Sequence, residues 1–103
     1  MSSPTQRTLK HLRDAGYPLV QVVERWNPYA RVRQDLFGII DVVAVGVDIV
    51  GVQATSGSNV SARVAKLTDS LALPVLRKAG VRVLVHGWTK RRGRWHLRTV
   101  DLS

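Results

Sequence analysis

Cysteine is absent from this 103-residue chain, which excludes disulfides, a thiolate zinc site and a cysteine nucleophile. Acidic residues are scarce, 7 Asp and Glu against 16 Lys and Arg. No apolar run is long enough to cross a bilayer. The longest, Ile39 to Val50, is interrupted by Asp41, Gly46 and Asp48. The opening Met-Ser-Ser-Pro-Thr-Gln-Arg lacks the apolar centre of a secretory leader. Linkers, internal repeats and low-complexity segments are missing as well. These absences predict one soluble, cytoplasmic domain over residues 1–103, with no membrane partner. The histidines His11, His86 and His96 show no metal-ligand spacing, and Ser56 and Ser58 lack the His and Asp pattern of a serine hydrolase.

What the chain has in excess is positive charge, a formal +9. That balance favours a polyanion, with nucleic acid ahead of an anionic membrane, because no basic amphipathic helix with bulky apolar anchors is evident. A basic surface with no partner is the bland alternative. A hydrophobic content of 45% argues for a folded core.

Apolar spacing predicts a helix over 5–15, stopped by Gly16 and Pro18, then a valine-rich strand over 19–26 and a turn over 27–30. Two β-branched runs, 37–45 and 49–55, flank Gly46-Val47-Asp48 and read as a hairpin of central strands. Ser58 and Asn59 can cap a helix whose stripe is Val60, Val64, Leu67 and Leu71. Pro74 interrupts or restarts this region, and Leu76–Ala79 reads as a final helical turn before Gly80. Strands over 81–88 and 95–102 follow, joined by a basic stretch at 89–94. The order α-β-β-β-α-β-β implies an α/β domain with a mixed sheet flanked by helices.

Asp41 stands inside an apolar run, where a lone carboxylate costs several kcal/mol unless compensated. If the two central strands pair, Asp41 lies beside Gln53. The Asp41 carboxylate, the Gln53 amide oxygen and the Ala54 carbonyl are hard oxygen donors suited to Mg²⁺ or Mn²⁺, and Glu24 can add another carboxylate. The plainer alternatives are a buried ion pair for Asp41, a satisfied core amide for Gln53, and a partner for Arg25 or Arg31 in the case of Glu24. Asp35 reads as a turn or capping residue, or as a partner for Arg33, rather than as a ligand.

Asp41 followed by Gln53-Ala54-Thr55, within Arg-x-Asp-Leu-Phe-Gly-x-x-Asp and Val-Gln-x-Thr-Ser, resembles the PD-(D/E)XK nuclease superfamily. It is most similar to small phage-type and Holliday-junction-resolvase-like members. The resemblance implies a restriction-endonuclease-like α-β-β-β-α-β core and metal-dependent hydrolysis of DNA phosphodiesters. In that family an Asp on the second strand and a (Glu/Gln)-x-Lys on the third bind the metal. Asp41 and Gln53 match, whereas Thr55 replaces the lysine. Lys66 on the following helix is the candidate substitute, with Arg63 on the same face. The implied catalytic set is Asp41, Gln53, Lys66 and Glu24. The implied metal ligands are Asp41, Gln53, Ala54 and Glu24. Arg31, Arg33, Arg63, Lys90, Arg91, Arg92 and Arg94 are expected to contact DNA, with Trp88 and Trp95 available for stacking or packing. Two-strand cleavage would suit a homodimer. The competing readings are a non-catalytic nucleic-acid-binding module that kept the fold, and a basic RNA-binding protein.

Overall fold

The computed structural model describes residues 3–103. In chain order the elements are α1 (Pro4–Asp14), β1 (Leu19–Val22), β2 (Arg25–Asn27), β3 (Val32–Gln34), β4 (Val42–Val45) and β5 (Ile49–Ser56). A short 3₁₀ turn (Gly57–Asn59) then leads to α2 (Val60–Thr68), α3 (Ala72–Lys78), β6 (Arg82–Arg91) and β7 (Arg94–Asp101). A five-stranded mixed sheet runs in the order β1-β4-β5-β6-β7, and β2 with β3 forms a separate two-stranded ribbon. Only the β5–β6 pairing is parallel, and α2 and α3 make its crossover. No helix among the described residues is long and apolar enough to cross a membrane.

Helix α1 starts where local chemistry allows. The Ser3 hydroxyl accepts from the Gln6 N–H, and Pro4 sits in the first turn, where its missing donor costs nothing. On this face of the sheet Leu12 packs with Val42, Ala44, Val50, Val52 and Leu84. On the opposite face Val60, Leu67 and Leu73 of the other helices cover Ile39, Ile40, Val83 and Val85. Both central strands are therefore covered on two sides, which explains apolar runs without alternation. Gly87 on β6 lets α2 approach closely, since a Cβ there would run into the Val60 side chain and touch the Gly57 Cα at 3.4 Å. Gly87→Ala is expected to lower stability by about 1–3 kcal/mol, read as an earlier urea midpoint.

The α/β reading, a mixed sheet flanked by helices, holds, with differences in detail. The expected strand at 19–26 breaks after Val22, and Arg25–Asn27 leaves the sheet to pair with Val32–Gln34. The expected strand at 37–45 begins only at Val42. Phe37 and Gly38 take left-handed backbone (φ 55° and 78°), and this tight turn, closed by a single antiparallel bridge between Leu36 and Ile40, puts Ile39 and Ile40 into the core. Leu71 lies outside the buried stripe, 91% exposed, because α2 ends at Thr68. Pro74 sits in the first turn of α3, where proline is tolerated, so that helix starts earlier than expected. The basic stretch at 89–94, expected to join the last two strands as a hairpin tip, is mostly strand. Strands β6 and β7 continue through it and close on Arg92 and Gly93, both left-handed, as a two-residue hairpin turn requires.

One polar cluster pins α1 to the sheet. The Trp88 Nε1–H donates to the Thr8 Oγ1 (3.0 Å), whose own proton then serves the His86 Nδ1 at 3.1 Å. His86 is 1% exposed, and burial, then the nearby His11, push its pKa down to about 4. The unfolded imidazole therefore binds protons more readily than the folded one, so stability is lost as pH falls from about 6.5 towards 4. About 3 kcal/mol is expected over that window. Urea titrations across it should show the parent losing that much relative to His86→Gln, since every other titrating group is common to both.

Candidate functional site

Three elements deliver carboxylates to one place. Glu24 follows the end of β1, Asp35 follows β3, and Asp41 precedes β4, with one oxygen from each lying within 4.8 Å of the others. The Val42–Val52 pairing continues to put Asp41 beside Gln53, as the hairpin reading expected. The Asp41 Oδ2 accepts from the Ala54 N–H at 2.9 Å. Asp41 is 6% exposed, whereas Glu24 and Asp35 are half-buried.

The cations come from two directions. Lys66 on α2 reaches the Asp35 Oδ2 (3.2 Å) and the Gln53 Oε1 (3.3 Å), and Arg63 one turn earlier donates to the same amide oxygen at 3.1 Å. From β3, Arg33 donates to the Glu24 Oε1 at 3.2 Å. Gln53 stands between charges of opposite sign. Its Nε2 donates to the Asp35 Oδ2 and to the Ile39 carbonyl, both at 3.0 Å, so every one of its hydrogen-bonding directions points at a named group. An open cleft of about 330 Å³, bordered by Arg33, Gln34, Asp35, Gly38 and Lys66, leads to this spot from solvent.

Asp41 and Asp35 share a hydrogen bond, which two ionised carboxylates cannot do. Burial first, then that bond with Asp35, push Asp41 up to about 8, and the charges of Asp35 and Glu24 add to the rise. For Asp35 burial acts upward too, but the bonds from Asp41, Gln53 and Lys66 outweigh it and the net shift is down. At neutral pH the pair thus holds one proton, mainly on Asp41, and the ionised partner faces the lysine.

Several expected site residues meet here: Asp41, Gln53, Lys66, Glu24, Arg33 and Arg63. Two details differ from the expected ligand set. The Gln53 oxygen turns towards the cations and away from the carboxylates, while Ala54 takes part through its N–H. Asp35, read from the sequence as a turn residue, is a full member of the cluster. The signal that could have found it is Gly38, three residues on: the turn closed by the Gly38 N–H on the Asp35 carbonyl sends the chain back towards β4. Arg31 lies at the ribbon tip, and Lys90, Arg91, Arg92 and Arg94 are exposed at the β6–β7 tip. The latter begin five residues beyond Val85, the level of Gln53 on β6, so they sit roughly 15–20 Å further along the sheet. They lie at the same end of the sheet without joining the cluster. Trp88 is buried as a packing residue, and Arg7 covers Trp95, 3.4 Å above its ring centroid.

The donor set, oxygen-only and rich in carboxylates, fits Mg²⁺ or Mn²⁺ and not a soft metal. Compared with known protein families, curated proteins and solved structures, the chain has no match.

Proposed function

We propose that this chain is a divalent-metal-dependent deoxyribonuclease of the PD-(D/E)XK kind, a small phage-type member acting on DNA in the cytoplasm. The observation that carries this reading is the meeting of Glu24, Asp35 and Asp41 with Lys66 across one buried amide. The element order supports it: α1, β1, β4, β5, α2 and β6 run in the order of that superfamily's core, with β6 parallel to β5 and the ribbon inserted after the first strand.

Glu24, Asp35 and Asp41 would hold the cation. Bound there, it supplies Lewis-acid charge and a more acidic water. Asp41 must give up its proton for this, and its Ala54 hydrogen bond keeps the carboxylate oriented. Lys66 and Arg33, tied to carboxylates in the metal-free protein, become available to a phosphate once those charges are neutralised. Lys66 then stands where negative charge grows on the phosphoryl oxygens, and Gln53 fixes its direction. Arg63 and the β6–β7 tip bind neighbouring phosphates and set register without reading bases. The described residues hold one such cluster, so cutting two strands calls for a homodimer.

A second reading, a binding module without catalysis, draws on Thr55 standing where the family has its lysine. Labelled linear, single-stranded and four-way-junction DNA incubated with Mg²⁺ or Mn²⁺, and with EDTA as control, separates the two. Metal-dependent cutting is expected. Tight binding with no cutting in either metal would remove the enzyme reading and leave the module.

A further inference from the structure

The ribbon carries side chains that folding does not use. Trp26 is 60% exposed and Phe37, in the turn after the ribbon, 63%. Phe37 also holds φ 55°, a backbone region that disfavours ordinary side chains and suits Gly or Asn. A phenyl ring there is held at a conformational cost and buries little in return, which points to use outside the fold. Trp26 and Phe37 both line a cleft of about 340 Å³, together with Arg25, Asn27, Gln34 and Asp35. Asp35 belongs to the carboxylate cluster, so the aromatic cleft and the candidate metal site share a wall.

The geometry points to this cleft as a nucleobase site: an unpaired base of the DNA strand stacks against Trp26 and Phe37 while its phosphate lies at the carboxylates. This rests on the nuclease reading and deepens it by naming the substrate class, DNA with unpaired nucleotides. Paired bases are stacked inside the duplex and cannot present a face to the cleft, whereas a single strand or a branch point can. Charge argues for a polyanion and against a second copy of the chain. Arg33 is held by Glu24, but Arg25 on the cleft wall and Arg31 at the ribbon tip make no ion pair among the described residues, and a two-fold contact there would set those charges together.

The test is binding in EDTA, where nothing is cut, of a single-stranded oligonucleotide carrying 2-aminopurine and of its fully paired duplex. Trp26→Ala and Phe37→Asn are each expected to weaken single-strand binding by about 5- to 100-fold, with duplex binding changed by less than about two-fold. The fluorescence quenching of 2-aminopurine by the parent should be lost in Trp26→Ala. Asn suits the left-handed turn, so Phe37→Asn should melt no earlier than the parent. Parent-like single-strand affinity in both folded variants would overturn the proposal. So would sedimentation showing a parent dimer that Trp26→Ala splits, which would make the aromatics a self-association surface. Failure to cleave in any metal, with this binding pattern intact, would sink the nuclease reading and leave the base site standing.

Discussion

Asp41→Asn is expected to slow metal-dependent DNA cleavage by about 10³-fold or more while making the metal-free protein more stable. The substitution keeps the shape. An amide oxygen can accept from the Ala54 N–H as the carboxylate does, and an amide N–H₂ can donate to Asp35 as the protonated Asp41 does. What disappears is the charge that would hold a cation. The cost of keeping Asp41 protonated at neutral pH, imposed by burial and by the charges of Asp35 and Glu24, disappears with it. Cleavage and stability should therefore move in opposite directions, an outcome that a merely structural Asp41 would not produce.

The pH profile separates these terms. Asp41 has its folded pKa raised to about 8, so its contribution to stability is full below the unfolded pKa and is lost as pH rises through 8. Asp35 works the other way within the acid range, since its lowered pKa contributes stability that is lost as pH falls. The buried His86 also favours higher pH, but only up to about 6.5. Between pH 4 and 6.5 Asp41 and His86 oppose each other, and above 6.5 Asp41 acts alone. In EDTA the parent should lose stability between pH 6.5 and 8, by about 1.5–2 kcal/mol, while Asp41→Asn stays level there. Urea midpoints at three pH values are sufficient to see it. A parent-like decline in Asp41→Asn would assign the titration to another group. Saturating Mn²⁺ should restore the parent at pH 8, by about 2.7 kcal/mol at a hundredfold excess over Kd, and should do little for the variant.

The parts of this site that short-range pattern specifies were legible in the sequence. Two β-branched runs around Gly46-Val47-Asp48 make a short hairpin, and its register brings Asp41 beside Gln53. Helical spacing put Arg63 and Lys66 on one face. Parts built from irregular chain were not legible. Asp35 reaches the cluster through a turn whose central residue is a left-handed phenylalanine, a choice no propensity favours. The ribbon strands are three residues each and polar, below the length at which alternation can be seen. The orientation of the Gln53 amide depends on which donors arrive from α2 and which acceptors from the Asp35 turn, and both are tertiary events. The β6–β7 hairpin was legible as a basic tip between two strands, and only its length was not, because the pairing runs on to Arg91 and Arg94.

Lys66→Ala is expected to lower kcat by about 10²–10³-fold with a much smaller change in KM, because its ammonium acts on charge that appears during the reaction. In the metal-free protein Lys66 is tied to Asp35 and Gln53, with 42% of its side chain exposed, so its removal should cost little stability. Lys66→Arg keeps the charge but spreads it over a planar group that cannot occupy the same point, and should recover only part of the rate. The informative construction is Thr55→Lys added to Lys66→Ala. Strand alternation places residue 55 on the same face as Gln53, so an ammonium there approaches the carboxylates from β5 instead of from α2. Thr55 is 5% exposed and pairs opposite Gly87, so the double variant needs a melting curve beside its rate. A folded double variant faster than Lys66→Ala alone would mean that the site needs a positive charge at this point, whichever element supplies it. Parent-like kcat in Lys66→Ala would leave the lysine with a role in binding only, and catalysis would have to rest on the carboxylates and the cation they hold.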